Sequence, residues 1–577
     1  MRLDKLTIGS LKSSSKHQFK NLKNIVIDFD QDHWVTVVIG WNGTGKSNVL
    51  EALAIIFRDL IVKENKPAFA FKLAYRMGSG ANLRHIHIDA DPDREKEPFT
   101  IHIATDAEAR GEGTLIPFME GEEPVSALRG KAITLAAFLK ADSEYLPRYV
   151  FSYYSGESPR MYEIFEPYLK DYYQKLVRST VDPEPKRLFY ALPVHSQFVL
   201  LAFLINPKES TKEFFRDELG IDLETGIESV LFELREPNWP SKNGDSRFWF
   251  ARGLAQRFLA RLMEVSLAPI TLKRKVPKSI WNKTSTEREY KYLYVKDIDS
   301  LRVLVGNQQS KEFFRDLEST FVSDLIEAVH IRVRLKKNDG SVVFRELSEG
   351  EQQLLTVLGL LHFTAEDESL FLLDEPDTHL NPRWSVDYIS YLKQFIASGT
   401  QQEETSHILL TTHNPLALAE LEREQVQILR MNKKGKPHQI IACYPEMSPR
   451  GMGYAAIVTS DMFGIASSLD VSTQILLEKQ RALGGKKNLS SEEQKILDGI
   501  NGDLDRLGFR FFHPDDEFSR YLRLRNELLK ARFGVVDPQA LAEKTVMMSR
   551  QEREDLATDL IEKLLDEESK MYDGSGQ

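Results

Sequence analysis

Trp34-Val35-Thr36-Val37-Val38-Ile39-Gly40-Trp41-Asn42-Gly43-Thr44-Gly45-Lys46-Ser47 passes from an unbroken apolar and β-branched run straight into a glycine loop. Such a run suits a strand buried on both faces of a parallel sheet. Gly40–Ser47 then fits G-x-x-x-x-G-K-S in full. Gly40, Gly43 and Gly45, with Asn42 between them, let backbone N–H groups turn inward around phosphates. Lys46 supplies a positive charge to the β- and γ-phosphates, and Ser47 offers a hydroxyl to Mg2+. Asn48–Leu60 follows as a helix with Leu50, Leu53, Ile56 and Phe57 on one side. Its N-terminal dipole favours an anion in the loop. A chance glycine-rich turn has no reason to sit between strand and helix, so the chain reads as an α/β protein that binds ATP.

Three segments some three hundred residues downstream complete the chemistry. Leu370-Phe371-Leu372-Leu373 is a buried strand ending in Asp374-Glu375. Asp374 is placed to hold Mg2+, and Glu375 to polarise an attacking water as general base. A strand-end acidic pair that merely caps the next helix is the plainer alternative. Leu409-Leu410-Thr411-Thr412-His413 is another strand ending at the carboxyl edge, where ligands bind in such sheets. His413 is a candidate contact for the γ-phosphate; a lone histidine is more often a structural residue. Leu347-Ser348-Glu349-Gly350-Glu351-Gln352 precedes a helix over 353–363. Ser348 with Glu351 fits a capping box, and Ser348, Gly350 and the helix N-terminus also fit a phosphate-binding surface.

Taken together these motifs resemble the ABC-type ATPase superfamily. Gly40–Ser47 is similar to its Walker A, Leu347–Gln352 to its signature and Leu370–Glu375 to its Walker B. Leu380-Asn381-Pro382 is similar to its D-loop, and His413 to its switch histidine. The resemblance implies an ATPase head with a mixed β-sheet flanked by helices. It also implies a head-to-tail homodimer, or a higher homo-oligomer, in which Ser348 and Gly350 of one copy close over ATP held by the other. Gln197, in His195-Ser196-Gln197-Phe198 after a strand-like run, is the candidate Q-loop glutamine.

The interval between Walker A and signature separates the branches of that superfamily. Transporter ATPases have a short insertion there, and chromosome-maintenance ATPases a long coiled coil for which no sustained heptad is present. The remaining branch is RecF-like and OLD-like. Pro147–Gly156, Pro193–Phe198 and Thr459–Gly464 resemble the PtuA-like ATPases of Septu and retron anti-phage systems. The expected organisation is a split head over 1–155 and 340–445, an inserted, mostly helical lobe over 156–339, and a helical docking region over 446–577.

OLD nucleases carry a Toprim site of glutamate and Asp-x-Asp on successive strands, and no such acidic set follows His413. Residues 439–577 hold one histidine, His513, which leaves no HNH site there. The chain is thus expected to hydrolyse ATP without cutting nucleic acid. The resemblance implies a separate HNH-type nuclease as partner and, in a retron setting, a reverse transcriptase with its RNA/DNA. The alternative is a RecF/SMC-like DNA-repair ATPase acting directly on DNA.

Bulk properties agree with a cytoplasmic enzyme. The 577 residues exceed one compact core, and two or three domains are expected. With 76 basic and 86 acidic residues the formal charge is −10, so nucleic-acid contact needs a local basic patch. Lys273, Arg274, Lys275 and Lys278, with Lys283 and Trp281, are the candidate, and a solvated loop is the equal alternative. Cys443 is the single cysteine, which excludes an internal disulfide and fits a reducing cytosol. No signal peptide or membrane-length apolar run is present. Leu497, Ile500, Leu504 and Leu507, and then Leu556, Leu560, Ile561, Leu564 and Leu565, form two helical stripes that pack on the chain's own core or on a partner.

Overall fold

The computed structural model describes the chain apart from residues 11–16, 31, 107, 109–129, 179–185, 206, 240–242, 280–281, 336–340, 365–367, 397–404, 433–438, 487–488, 510–515, 536 and 575–577. It divides into two compact units, Met1–Gly451 and Met452–Gln577.

The first unit is organised around a seven-stranded mixed sheet. Its order is Ile440–Cys443, Val426–Met431, Val35–Gly40, His407–Thr411, Leu370–Asp374, Val150–Tyr154 and Leu188–Tyr190. Every neighbouring pair is parallel except the hairpin of 426–431 with 440–443. The central strands are apolar on both faces, as the sequence run at Val35–Ile39 requires. Their register carries Gly40, Asp374 and Thr411 to the same carboxyl edge.

A second sheet of six antiparallel strands has the order Ile25–Asp28, Arg2–Ile8, Phe71–Met77, Arg84–Ala90, Phe99–Thr105 and Lys131–Ile133. The Lys46–Ile61 helix shares one apolar core with both sheets: Leu50, Leu53 and Phe57 cluster with Ile8, Tyr75 and Ile88 and with Leu372 and Leu409. Burial from two sides fixes the axis of this helix, and with it the loop at its N-terminus. Tyr75 sits edge-on to Phe57 and donates its hydroxyl to the Tyr145 carbonyl at 2.7 Å.

The segment 156–339, expected to be mostly helical, departs from that reading. It carries helices, but also four strands of a five-stranded antiparallel sheet ordered Leu267–Ser279, Asn282–Val295, Ile227–Arg235, Ile326–Arg334, Ser341–Val343, the last strand lying just beyond the segment. The reason lies in period-two stretches such as Tyr290-Lys291-Tyr292-Leu293-Tyr294, whose alternating aromatic residues pack well on a pleated surface. Phe232 of the sheet packs edge-on to Phe258, and Phe258 to Phe313, so the helices lie against one face. Leu188–Tyr190 also belongs to the main sheet, so the head continues past residue 155.

The second unit holds helices and no strand among its described residues. Leu497, Ile500 and Leu504 close a small core with Leu477 and Leu483, which accounts for the first stripe, while Leu507 is exposed. In the second stripe Leu556 and Leu560 are buried and Ile561 and Leu565 exposed. His513 lies outside the described residues. No described helix of the chain is long and apolar enough to cross a membrane.

Candidate functional site

The phosphate loop is built by close backbone approach. A Cβ at Gly40 would fall 2.5 Å from the Leu429 carbonyl oxygen, and one at Gly45, where φ is +89°, 2.8 Å from Leu22. Thr44 donates its hydroxyl to the Trp41 carbonyl at 2.7 Å, and Lys46 donates to the Gly40 carbonyl at 3.0 Å. Asn21 supports the loop from outside: its amide donates to the Gly43 carbonyl at 2.8 Å and accepts from Asn48 at 2.6 Å. The loop lines a depression of about 280 Å³ together with Asn42, Ser47, Arg160 and Glu375.

Strand ends far apart in sequence meet beside it. Asp374 is almost fully buried; its Oδ1 accepts from the Ser47 hydroxyl at 3.0 Å and from the Thr411 hydroxyl at 2.5 Å. Its Oδ2 receives no hydrogen bond and faces Arg160 Nη2 at 3.6 Å. Burial pushes the Asp374 carboxyl above its ordinary pKa, opposed by those two hydroxyls and by the Arg160 charge. A buried carboxylate oxygen without a donor, next to a serine hydroxyl at a phosphate loop, fits a hard divalent cation such as Mg2+, which takes oxygen ligands.

Glu375 follows with φ at +51°, a conformation rare for a side-chain-bearing residue. Its N–H reaches both the carbonyl and the hydroxyl of Thr411 at 3.1 Å. Its carboxylate lies 3.3 Å from His413 Nδ1, and both side chains retain access to solvent. Asp377, whose pKa burial also raises, accepts from the Thr412 hydroxyl at 2.7 Å. The sheet edge thus joins Asp374, Glu375 and His413 through the backbone of residues 411–413.

Ser348 and Gly350 do not line this depression. Ser348 makes the full capping box with Glu351, at 2.8 Å from its N–H, 2.8 Å from its hydroxyl and 3.3 Å for the return bond. Gly350 lies against the His379 carbonyl, where a Cβ would come within 2.5 Å, and Gln353 accepts from the His379 N–H at 3.1 Å. The signature helix, Glu349–Thr364, is therefore seated on the loop that leaves the Asp-Glu strand.

Two sequence candidates are placed elsewhere. Gln197 is buried in the His195–Phe203 helix and does not line the depression; at the start of that helix His195 packs against the rings of Phe189, Phe198 and Phe314. The residue that does reach the Asp374 carboxylate from this side of the sheet is Arg160. It begins the Arg160–Arg178 helix, six residues after the end of the Val150–Tyr154 strand paired to the Asp-Glu strand. The basic cluster lies on an edge hairpin with acidic residues across it. Lys273 pairs in register with Glu289 and Lys275 with Glu287, while Arg274 is held by Glu233 at 2.8 Å over Tyr290 and Tyr292. The side chains of Lys278 and Lys283, and Trp281 altogether, lie outside the described residues.

Parts of the chain are similar to known proteins. Residues 196–419 match the family described as "AAA domain, putative AbiEii toxin, Type IV TA system", and residues 17–102 match "AAA ATPase domain". The Septu protein PtuA of Bacillus mycoides (strain KBAB4) is 25% identical over 181 residues, 29% of this chain and 23% of that protein. The Retron Vc95 probable ATPase of Vibrio cholerae serotype O1 biovar El Tor is 25% identical over 147 residues, 22% of this chain and 27% of that protein. The chain therefore spans about a quarter of the length of these relatives. The SMC head domain from Thermotoga maritima aligns with a TM-score of 0.30 at 13% identity, covering 78% of this chain and 100% of that one. Residues 17–102 and 196–419 are thus similar to AAA-type ATPase domains.

Proposed function

We propose that this chain is the ATP-binding and hydrolysing subunit of a prokaryotic anti-phage defence complex, in which two copies close head-to-tail around ATP and regulate a separate HNH-type nuclease. The observation that carries the reading is the meeting of Ser47 and Asp374, with Lys46 and Glu375 around the same depression. The similarity to a Septu and a retron protein supports the defence setting.

In this reading Lys46 leaves the Gly40 carbonyl for the β- and γ-phosphates, a short move for a flexible side chain. Ser47 and Asp374 would hold Mg2+, which neutralises phosphate charge when bound. Glu375 takes a proton from the attacking water, and His413 steadies its carboxylate. The capping box at Ser348 leaves the hydroxyl exposed on the chain's own surface, away from its own phosphate loop. A second copy is then needed to bring Ser348 and Gly350 over the nucleotide.

The test is co-purification with the products of neighbouring genes, with and without ATP, and turnover by the wild type and Lys46→Ala. An associated nuclease that depends on nucleotide state, and turnover lost in the variant, are expected. Turnover that survives Lys46→Ala would overturn the site. Tight, salt-sensitive DNA binding by the chain alone would favour the direct DNA-repair alternative instead. The acidic partners across from Lys273 and Lys275 weigh against that alternative.

A further inference from the structure

We infer that Arg160 is a positioning residue that exchanges the Asp374 carboxylate for nucleotide phosphate, and so passes the state of the site to the helix it begins. The inference rests on the ATP-site reading above. Lys46 and Arg160 are the two cations lining the depression among the described residues. Lys46 has a phosphate-loop role to fill, whereas Arg160 comes from a different strand–helix junction.

The Arg160 guanidinium is held between two nearly buried carboxylates. Nη2 lies 3.6 Å from Asp374 Oδ2, and Nε lies 3.2 Å from Glu51 Oε1. Glu51 is also ion-paired to Lys20, so it keeps a counter-charge if Arg160 leaves. Tyr154 supports the guanidinium from below, with its ring centre 5.0 Å away. The contact to Asp374 is long and made to the one oxygen of that carboxylate that lacks a hydrogen bond. A divalent cation claiming Oδ2 would repel the guanidinium, and the oxygens of a triphosphate in the same depression would offer its Nη2 new acceptors. Guanidinium's planar fork suits two such oxygens at once, and a lysine there would supply only a point charge.

The consequence reaches beyond the pocket because Arg160 is the first residue of the Arg160–Arg178 helix. That helix also receives a hydrogen bond from Arg58 of the phosphate-loop helix, onto the Ile164 carbonyl at 3.1 Å. The next described strand after it, Leu188–Tyr190, returns to the main sheet beside Val150–Tyr154. A shift of Arg160 by a few ångströms therefore moves the first turn of an element that the chemistry does not otherwise touch.

The experiment compares wild type, Arg160→Ala, Arg160→Lys and Lys46→Ala in three readings. These are binding of a fluorescent ATP analogue with Mg2+, hydrogen exchange of peptides covering 40–61 and 160–178, and ATP turnover. Arg160→Ala should bind the analogue within about threefold of wild type but lose turnover by at least about tenfold, as removal of a positioned cation does. In that variant nucleotide should still slow exchange in 40–61 and no longer alter it in 160–178, with partial recovery in Arg160→Lys. Should Arg160→Ala not fold, Arg160→Gln carries the same readings. Wild-type turnover and a wild-type exchange response in 160–178 without the guanidinium would overturn the inference. Analogue binding by Lys46→Ala at wild-type affinity is a different pattern; it overturns the ATP-site reading, and this inference with it.

Discussion

The Ser47 hydroxyl donates to Asp374 Oδ1 at 3.0 Å, joining the first turn of the phosphate-loop helix to a strand end 327 positions away in the chain. That bond, with the Thr411 hydroxyl on the same oxygen, satisfies half of a buried carboxylate and leaves Oδ2 to pay the desolvation cost. Asp374→Asn should therefore raise the melting temperature of the nucleotide-free protein while abolishing turnover. The pH dependence gives the sign. The folded-state pKa of Asp374 is raised, so its protonated form is favoured by folding, and this contribution is lost as pH rises through the folded value. Stability of the wild type relative to Asp374→Asn should thus improve as pH falls from neutrality toward the unfolded carboxylate range. Melting curves of both proteins across that interval, without Mg2+, check it; a difference that does not vary with pH would sink the idea.

Thr411 is the joint between the two carboxylates, donating to Asp374 and accepting from the Glu375 N–H. Glu375 sits in a left-handed conformation that costs about 1–3 kcal/mol, and the two bonds to Thr411 hold it there. Thr411→Val keeps the shape and removes the hydroxyl. Expected are a loss of about 1–3 kcal/mol of stability by denaturant unfolding, from the unmet buried groups, and a lower turnover with nucleotide binding retained. Thr411→Ser should restore both.

The parts of the site that sequence makes legible are those whose chemistry needs a fixed residue order. Gly40–Ser47 and Asp374-Glu375 could be read because phosphate cradling and a strand-end acidic pair are local patterns. Arg160 could not: it acts through a strand pairing, 150–154 on 370–374, that only the folded sheet reveals. A proline followed by a cation at a helix start, just beyond a strand, was the available signal. Thr411 lies in a strand whose terminal histidine is the more conspicuous chemical group, and a threonine within a strand carries no local signal of a role. Gln197 failed because a glutamine after a strand-like segment is common and nothing local ties it to the phosphate loop. The five-stranded sheet in the insertion was missed because helices and strands interleave there, and short period-two windows such as 290–294 are easily absorbed into a helical reading.

Glu375→Gln should leave nucleotide binding intact and stop the step that needs a base. If two copies sandwich ATP, the variant should accumulate as an ATP-dependent dimer, seen by light scattering, and revert to the wild-type species when Mg2+ is chelated. Turnover at the wild-type rate would remove Glu375 from the role of base. A monomer at all ATP concentrations, with turnover lost, would keep the base and discard the sandwich.

Ser348 serves both its own helix and, in the proposed dimer, the other copy's nucleotide, and substitutions separate the two. Ser348→Asp keeps an N-cap acceptor for the Glu351 N–H, so the melting temperature should change little, but it sets a negative charge where phosphate would approach. ATP-dependent dimerisation should be lost. Glu351→Ala removes the reciprocal half of the capping box and should cost up to about 1 kcal/mol of stability with dimerisation weakened far less. Equal dimerisation by wild type and Ser348→Asp would confine Ser348 to capping.

The helical unit gives a prediction that separates structural from docking apolar residues. Leu504 is fully buried with Leu477, Leu483, Leu497 and Ile500, so Leu504→Ala should cost about 2–5 kcal/mol as a large-to-small change in a small core. Ile561 and Leu565 lie one turn apart on the Arg550–Gly574 helix and are both exposed, so Ile561→Lys with Leu565→Lys should leave that stability within about 0.5 kcal/mol. Unfolding of the two proteins, followed by the ability of each folded form to retain the proposed nuclease partner, distinguishes the roles. Retention should survive Leu504→Ala below its melting temperature and fail in the double lysine variant; the reverse pattern would assign docking to another surface.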